Sequence, residues 1–282
     1  MPDSSHSKPG SDRTEDSQTG PPIAKPAPTA GATATDPTWL MRLWLALPDW
    51  SLRLVGAGFF FAFLGWEISD YFTSGFWKSW NYYHLGKGHY IYVPWAKILI
   101  DITYLLIALS FIFRIPPRSR ASRPRDIIVP LVAAFWPFWP FAIKVILVWS
   151  HSDSAGAYVA FMFNRHLSLS AFVAGSACVV AGNILDVWGY AVLFRSFSLV
   201  AEARELKVRG PYRLIRHPIY FGQILSQGGV WLLFATPHPI WAAFYFSFVG
   251  LQLYRSWIED QVLERSFGDS YLAWKRKTIW FF

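Results

Sequence analysis

Residues 169–194 read LSAFVAGSACVVAGNILDVWGYAVLF, an apolar run whose only strongly polar side chains are Asn183 and Asp186. A helix rises about 1.5 Å per residue and needs about 20 mostly apolar residues to cross a bilayer core. This run meets that length, so the fold is read outward from a membrane-crossing helix. Upstream lie three more runs of the same kind, Leu52–Phe72, Val93–Phe113 and Ile127–Trp149. Downstream, the shorter run Ile219–Ala235 meets the breaker Thr236-Pro237-His238-Pro239, and a sixth run follows at Ile240–Trp257. Proline lacks a backbone N–H and disrupts a helix interior, so the last two runs read as a tight helical hairpin. The predicted fold class is all-α, a multi-pass transmembrane bundle of about six spans.

Composition agrees. Apolar residues make up 53% of the 282-residue chain and charged residues 16%. A soluble domain carries about a quarter charged residues, so this chain is short of groups to cover a water-facing surface. The net charge of +8 fits either nucleic acid or an anionic membrane face, and its distribution decides between them. Arg114, Arg118, Arg120, Arg123 and Arg125 follow the second run; Arg195, Arg204, Lys207, Arg209, Arg213 and Arg216 follow the fourth. Arg265, Lys275, Arg276 and Lys277 follow the sixth, whereas the opposite loops hold only Lys78, Lys87 and Arg165. That alternation is the positive-inside pattern of a protein with both termini in the cytoplasm. It accounts for the charge without a nucleic-acid partner.

Three regions follow. Residues 1–38 are rich in Ser, Thr, Pro and Ala with few large apolar side chains, the composition of a disordered tail. Residues 39–195 hold the first four spans, and residues 196–282 hold the hairpin with the basic loop before it. Cys178 is the sole cysteine, which excludes an internal disulfide and a CxxC or Cys/His metal site; no metal is expected. The tail lacks the charged start and apolar core of a signal peptide. A bacterial inner membrane is the first expectation for location, and the endoplasmic reticulum the second.

Ionisable groups inside spans are costly and mark function or pairing. Glu67, Asp70, Asp101 and Lys144 fall at similar depth towards the outer ends of their helices and are expected to pair. Asn183 and Asp186 share one face of the fourth span, either as a polar contact between helices or as part of a cavity wall. In the third span, Pro130, Pro137 and Pro140 among aromatics predict a kinked helix.

The chemistry concentrates near the C-terminus. Residues 202–222 read EARELKVRGPYRLIRHPIYFG, and residues 255–271 read RSWIEDQVLERSFGDSY. Gly210-Pro211 forms a turn at the membrane surface. His217-Pro218 then opens a helix whose unpaired N–H groups favour an anion. In the second block Arg255 and Glu259 lie four apart on one helix face, and Glu259-Asp260 brings two carboxylates back to the basic loop.

In this order, across a hairpin, the two blocks resemble the isoprenylcysteine carboxyl methyltransferase and phospholipid methyltransferase group of integral membrane enzymes. The resemblance runs from about Arg204 to Lys277 and rests on Gly210-Pro211-Tyr212, Arg216-His217-Pro218, Tyr220, Gly222, Glu259-Asp260, Leu263, Phe267-Gly268 and Tyr271. It implies a cytoplasmic C-terminal site for S-adenosylmethionine. By position, the resemblance assigns Arg204, Glu205, Leu206, Lys207, Tyr212, His217, Pro218, Ile219, Tyr220 and Glu259 to the cofactor, and Arg255 to the substrate. Two departures stand out: Asp260 replaces the second acid of the usual Glu-Glu pair, and Arg-Glu-Leu-Lys before the Gly-Pro turn is more charged than usual.

The expected activity is methyl transfer to a lipid-like or apolar acceptor, either a carboxylate of the isoprenylcysteine type or a phospholipid amine. Arg255 would orient a carboxylate; for an amine or thiol, His217 or Glu259 would assist proton removal. Two alternatives come from other classes, a sterol-reductase-like enzyme using NADPH and a non-enzymatic membrane scaffold. The sequence does not indicate an oligomeric state.

Overall fold

The structure, a computed structural model, describes residues 39–72, 82–150, 154, 156–158, 168–234 and 239–280. The expectations for residues 1–38, for Lys78 and Arg165, for the turn at 236–238 and for the side chains of Asp70 and Lys144 lie outside what is described.

The chain is mostly helical. Helix α1 (Trp39–Ala46) leads into α2 (Asp49–Asp70), then come α3 (Trp95–Phe113), α4 (Pro124–Phe135) and α5 (Trp139–Trp149). The long helix α6 (Leu169–Leu193) is followed by the hairpin pair α7 (Pro218–Phe234) and α8 (Pro239–Phe267), and by the short α9 (Asp269–Lys275). Among the described residues, three helices are long and apolar enough to cross a membrane: Asp49–Ser69, Trp95–Phe113 and Leu169–Ser196. Their outer faces present Leu54, Val55, Val173, Ile184 and Trp188, the side chains lipid tails would cover.

Two parts of the expected division differ. Between α2 and α3 the mostly helical chain adds one small sheet to the expected all-α fold, where Tyr82–Gly86 (β1) and His89–Tyr92 (β2) pair as an antiparallel hairpin, Tyr82 opposite Tyr92 and His84 opposite Tyr90. The turn takes positive φ at Gly86, Lys87 and Gly88, which two glycines adopt at no steric cost. The run Ile127–Trp149 is not one kinked helix but two, separated by a 3₁₀ turn over Trp136–Phe138. Pro137 and Pro140 each remove a backbone donor there, so the hydrogen-bond ladder is interrupted rather than merely bent.

Packing is tightest between α6 and α7. Gly175, Gly182 and Gly189 recur every seven residues, two turns of one α6 face. A Cβ on Gly182 would lie 2.5 Å from the Gly222 carbonyl oxygen, and one on Gly229 would lie 2.5 Å from that of Gly175. The two backbones are in direct contact, as small residues allow where no hydrophobic force drives helices together in lipid.

At one end of the bundle α2, α3 and the chain after α6 are tied together by charge. Arg114 donates to Asp49 at 2.8 Å, and Ile115 N donates to the Arg195 carbonyl oxygen at 2.8 Å. At the far end Lys97 pairs with Glu67, and the Tyr71 hydroxyl donates to Asp101. The expected pairing of intramembrane carboxylates therefore uses an ammonium on α3 itself. Asp186 is buried beside Gly222, and its Oδ1 has no hydrogen-bond partner among the described residues.

Helix α8 runs on for ten residues past the predicted end of the sixth apolar run and stops at Gly268, whose φ is +53°. Gly268 N still donates to the Glu264 carbonyl oxygen at 2.8 Å, and the positive φ, which glycine adopts at no steric cost, turns the chain out of the helix there. Arg255, Glu259 and Asp260 thus ride on one uninterrupted helix.

Candidate active site

The site is built at the charged end, between the loop 197–217 and the last turns of α8. Three backbone contacts fix the start of that loop: Ala201 N donates to the Asp126 carbonyl oxygen at 2.9 Å, and Ala203 exchanges hydrogen bonds with Ser119. Arg204, next in line, has a fully buried guanidinium that donates to Glu202 at 2.8 Å and also to the Ile115 carbonyl oxygen. Its head group braces the loop against α3. Glu205 lies at the surface with Lys207, 2.7 Å away. The hydrogen bond from Lys207, acting against partial burial, holds the Glu205 carboxyl below its ordinary range.

Gly210 has φ +60°, and a Cβ there would stand 2.8 Å from Val192 Cγ2, so the Gly-Pro turn packs directly on α6. It opens a 3₁₀ turn over Gly210–Arg213 that buries Tyr212. The Tyr212 carbonyl oxygen accepts from Trp274 Nε1 at 2.9 Å.

His217 stands one residue before α7 and is 5% exposed. Its Nε2 lies 2.6 Å from Asp260 Oδ1, and its Nδ1 3.6 Å from Glu259 Oε2. Asp260 also accepts from Arg216 at 2.6 Å and from the Tyr271 hydroxyl. Glu259 accepts from the Tyr220 hydroxyl at 2.6 Å and keeps a quarter of its side chain accessible. Burial alone would push the imidazole down, but the two carboxylates outweigh it and leave His217 above its ordinary value. Burial likewise pushes both carboxyls up, yet the hydrogen bonds and charge of His217 leave Glu259 and Asp260 below theirs. The arrangement favours an imidazolium between two carboxylates.

Arg255 lies over the Tyr220 ring, 4.8 Å from its centroid, and donates through Nη2 to the Leu199 carbonyl oxygen at 3.0 Å. Among the described residues its Nε–H has no hydrogen-bond partner.

These groups surround a cavity of about 720 Å³, counting the part open to solvent. Of the residues singled out from sequence, Arg204, Glu205, Leu206, Lys207, Tyr212, His217, Ile219, Tyr220, Arg255 and Glu259 line it. Pro218 does not; it is fully buried at the first position of α7. Asp260 also stays out of the lining and acts behind His217. The sequence reading missed Tyr190 and Leu193, which carry the cavity wall back along α6, and Ser196, Phe197, Ser198 and Glu202 on the chain that follows it. A sequence signal existed for Tyr190 alone, one turn past Asp186 on the polar face of α6.

Residues 170–270 match the family model of phospholipid methyltransferases. No curated protein matches the chain. The matched stretch runs from the start of α6 through α7 and α8, and so includes both blocks of the resemblance up to Ser270. The matched family is one of integral membrane methyltransferases, and the three apolar helices agree with a membrane protein. Helices α1 to α5, and the chain after Ser270, lie outside the matched stretch.

Proposed function

We propose that this chain is an S-adenosylmethionine-dependent methyltransferase that acts at the cytoplasmic face of a membrane on a lipid-like or apolar acceptor. The observation that carries the reading is the two-sided cavity. One side is the charged loop with His217, and with Glu259 and Arg255 facing it; the other is apolar, with Tyr190, Leu193 and Ile219 on helices of the bundle and Phe197 just after α6. A polar cofactor and an apolar acceptor would meet there from opposite directions.

The residues present suit the cofactor. Glu205 and Glu259 offer carboxylate oxygens to an amine and to ribose hydroxyls, while Lys207 offers a donor to a carboxylate. When bound, S-adenosylmethionine supplies an electrophilic methyl on a sulfonium sulfur. The chain's part is to align the acceptor with that methyl and to exclude water; well-oriented groups gain about 7–11 kcal/mol in this way.

Roles within the site follow from what each group has free. Both ring nitrogens of His217 face carboxylates, so the imidazole has no lone pair to receive an acceptor's proton. Glu259 has a second oxygen and an accessible surface, which makes it the better proton acceptor for an amine or thiol. Arg255 keeps its Nε–H edge for an acceptor carboxylate.

Calorimetric titration of the detergent-purified protein tests the reading, with S-adenosylhomocysteine and NADPH as separate ligands. Saturable binding of S-adenosylhomocysteine alone, weakened by Glu259→Ala, is expected. No binding to folded protein, or binding of NADPH instead, would overturn it.

A further inference from the structure

The last described residues fold back onto the site. Ile279 N donates to the Leu214 carbonyl oxygen at 2.8 Å, and Arg216 N donates to the Ile279 carbonyl oxygen at 3.1 Å. A short parallel bridge thus joins Ile279 to Ile215, just ahead of His217. The Ile279 side chain is 76% exposed, so the strap is not held there by burying it. The side chain that turns inward is Trp280. Its ring centroid lies 5.2 Å from that of His217, tilted by 58°. Its Nε1–H donates to Ser256 Oγ at 2.9 Å, on α8 one turn before Glu259. Ser256 is fully buried and spends its own proton on the Leu253 carbonyl oxygen, so it is fixed as the acceptor.

We propose that Trp280 is a positioning residue, which from this C-terminal strap holds the His217 imidazole against Glu259 and Asp260. Three constraints converge on the imidazole. Tyr220 stacks on it at 5.3 Å and 10°, the two carboxylates take its nitrogens, and Trp280 bears on it while anchored to the helix that carries those carboxylates. Without Trp280, water reaches the imidazole and competes with Glu259 and Asp260 for its N–H groups, and a charge-assisted hydrogen bond weakens as the local dielectric rises. The strap lies beyond the stretch that matches the family model, so the geometry of this site depends on residues outside it. Only the ligand arm of the following test rests on the methyltransferase reading.

The experiment compares the wild type with Trp280→Ala and Trp280→Phe as full-length protein in detergent. Proton NMR follows the downfield imidazole N–H signals that disappear in His217→Asn, and calorimetry follows S-adenosylhomocysteine. The wild type and Trp280→Phe are expected to show the His217 signals, because phenylalanine restores a ring against the imidazole. Trp280→Ala, with an unchanged helical signal by circular dichroism, is expected to lose them to solvent exchange and to bind S-adenosylhomocysteine about tenfold more weakly. His217 signals that persist in Trp280→Ala would overturn the proposal. A wild type that shows the signals but binds no S-adenosylhomocysteine would overturn the proposed function and leave the positioning role standing.

Discussion

His217 and Asp260 meet at 2.6 Å across 43 residues of chain, both buried, with Arg216 and Tyr271 sharing the same carboxylate. Asp260 is therefore the hub that joins the start of α7, the end of α8 and the C-terminal tail. Removing one partner of a buried ion pair costs about 3–5 kcal/mol, because the remaining charges are left uncompensated. Asp260→Asn is expected to lower stability by that order, read as a depressed melting temperature in detergent. An unchanged melting temperature would show that Arg216 and His217 find other partners.

Stability should depend on pH in two directions. His217 is raised above its ordinary 6.5, so its contacts with the carboxylates contribute fully below about pH 6.5 and are lost as pH rises through the raised value. Glu259 and Asp260 are lowered from 4.5 and 3.8; their contribution is present above those values and lost as pH falls through the lowered ones. A melting-temperature series is expected to show its plateau between the two limbs. His217→Gln should remove the alkaline limb while the protein stays folded near pH 6.

Glu259→Gln separates two kinds of acceptor. General-base assistance contributes about 10²–10⁴-fold, so turnover with an amine or thiol acceptor should fall by that order. A carboxylate acceptor has no proton to lose and should be methylated within about tenfold of the wild-type rate. Turnover assays with candidate lipids of each kind, at saturating S-adenosylmethionine, distinguish these outcomes.

Arg204 faces its partners more than it faces the cavity. Arg204→Ala and Glu202→Gln should each destabilise the loop, and the double variant should lose less than the sum. Contacting charges of this kind couple by about 0.5–3 kcal/mol. Unfolding midpoints of the four proteins measure the coupling, and additive losses would refute a direct bond between the two.

Gly182 has the backbone of Gly222 and Ser226 in the way of any added carbon. Gly182→Leu must push α6 from α7, at a cost of about 1–3 kcal/mol or more. Gly58, with open space at its Cβ position, is the control: Gly58→Leu should leave the melting temperature nearly unchanged.

The site was legible where its residues are neighbours in sequence. Gly210 to Tyr220 and Arg255 to Asp260 each place their groups within a turn or a few helical residues, so order and spacing were enough to bring them together. Partners set by tertiary packing were not legible. Nothing in the sequence couples Trp280 to His217, or Asp49 to Arg114, because those contacts exist only once the helices are packed. The fold shows the same divide. Apolar length located α2, α3, α6 and the hairpin pair, whereas α1 is too short to register by length. The β-hairpin does carry a signal, alternating aromatics around Gly86-Lys87-Gly88, but too short a one to stand out between two apolar spans. Charge pairing at depth was anticipated in kind, yet the partner of Glu67 proved to be Lys97, two residues inside its own helix.

Helix α8 spans 29 residues without a break, a rod of roughly 44 Å at 1.5 Å per residue. Its far end is set among the apolar segments and its near end holds both carboxylates of the site. A stiff rod of that kind is a lever. A thicker or thinner bilayer changes helix tilt, and any tilt of α8 moves Glu259 and Asp260 relative to the loop that faces them. On the proposed function, the lipid surroundings would enter the geometry of the reaction mechanically, as well as by supplying an acceptor.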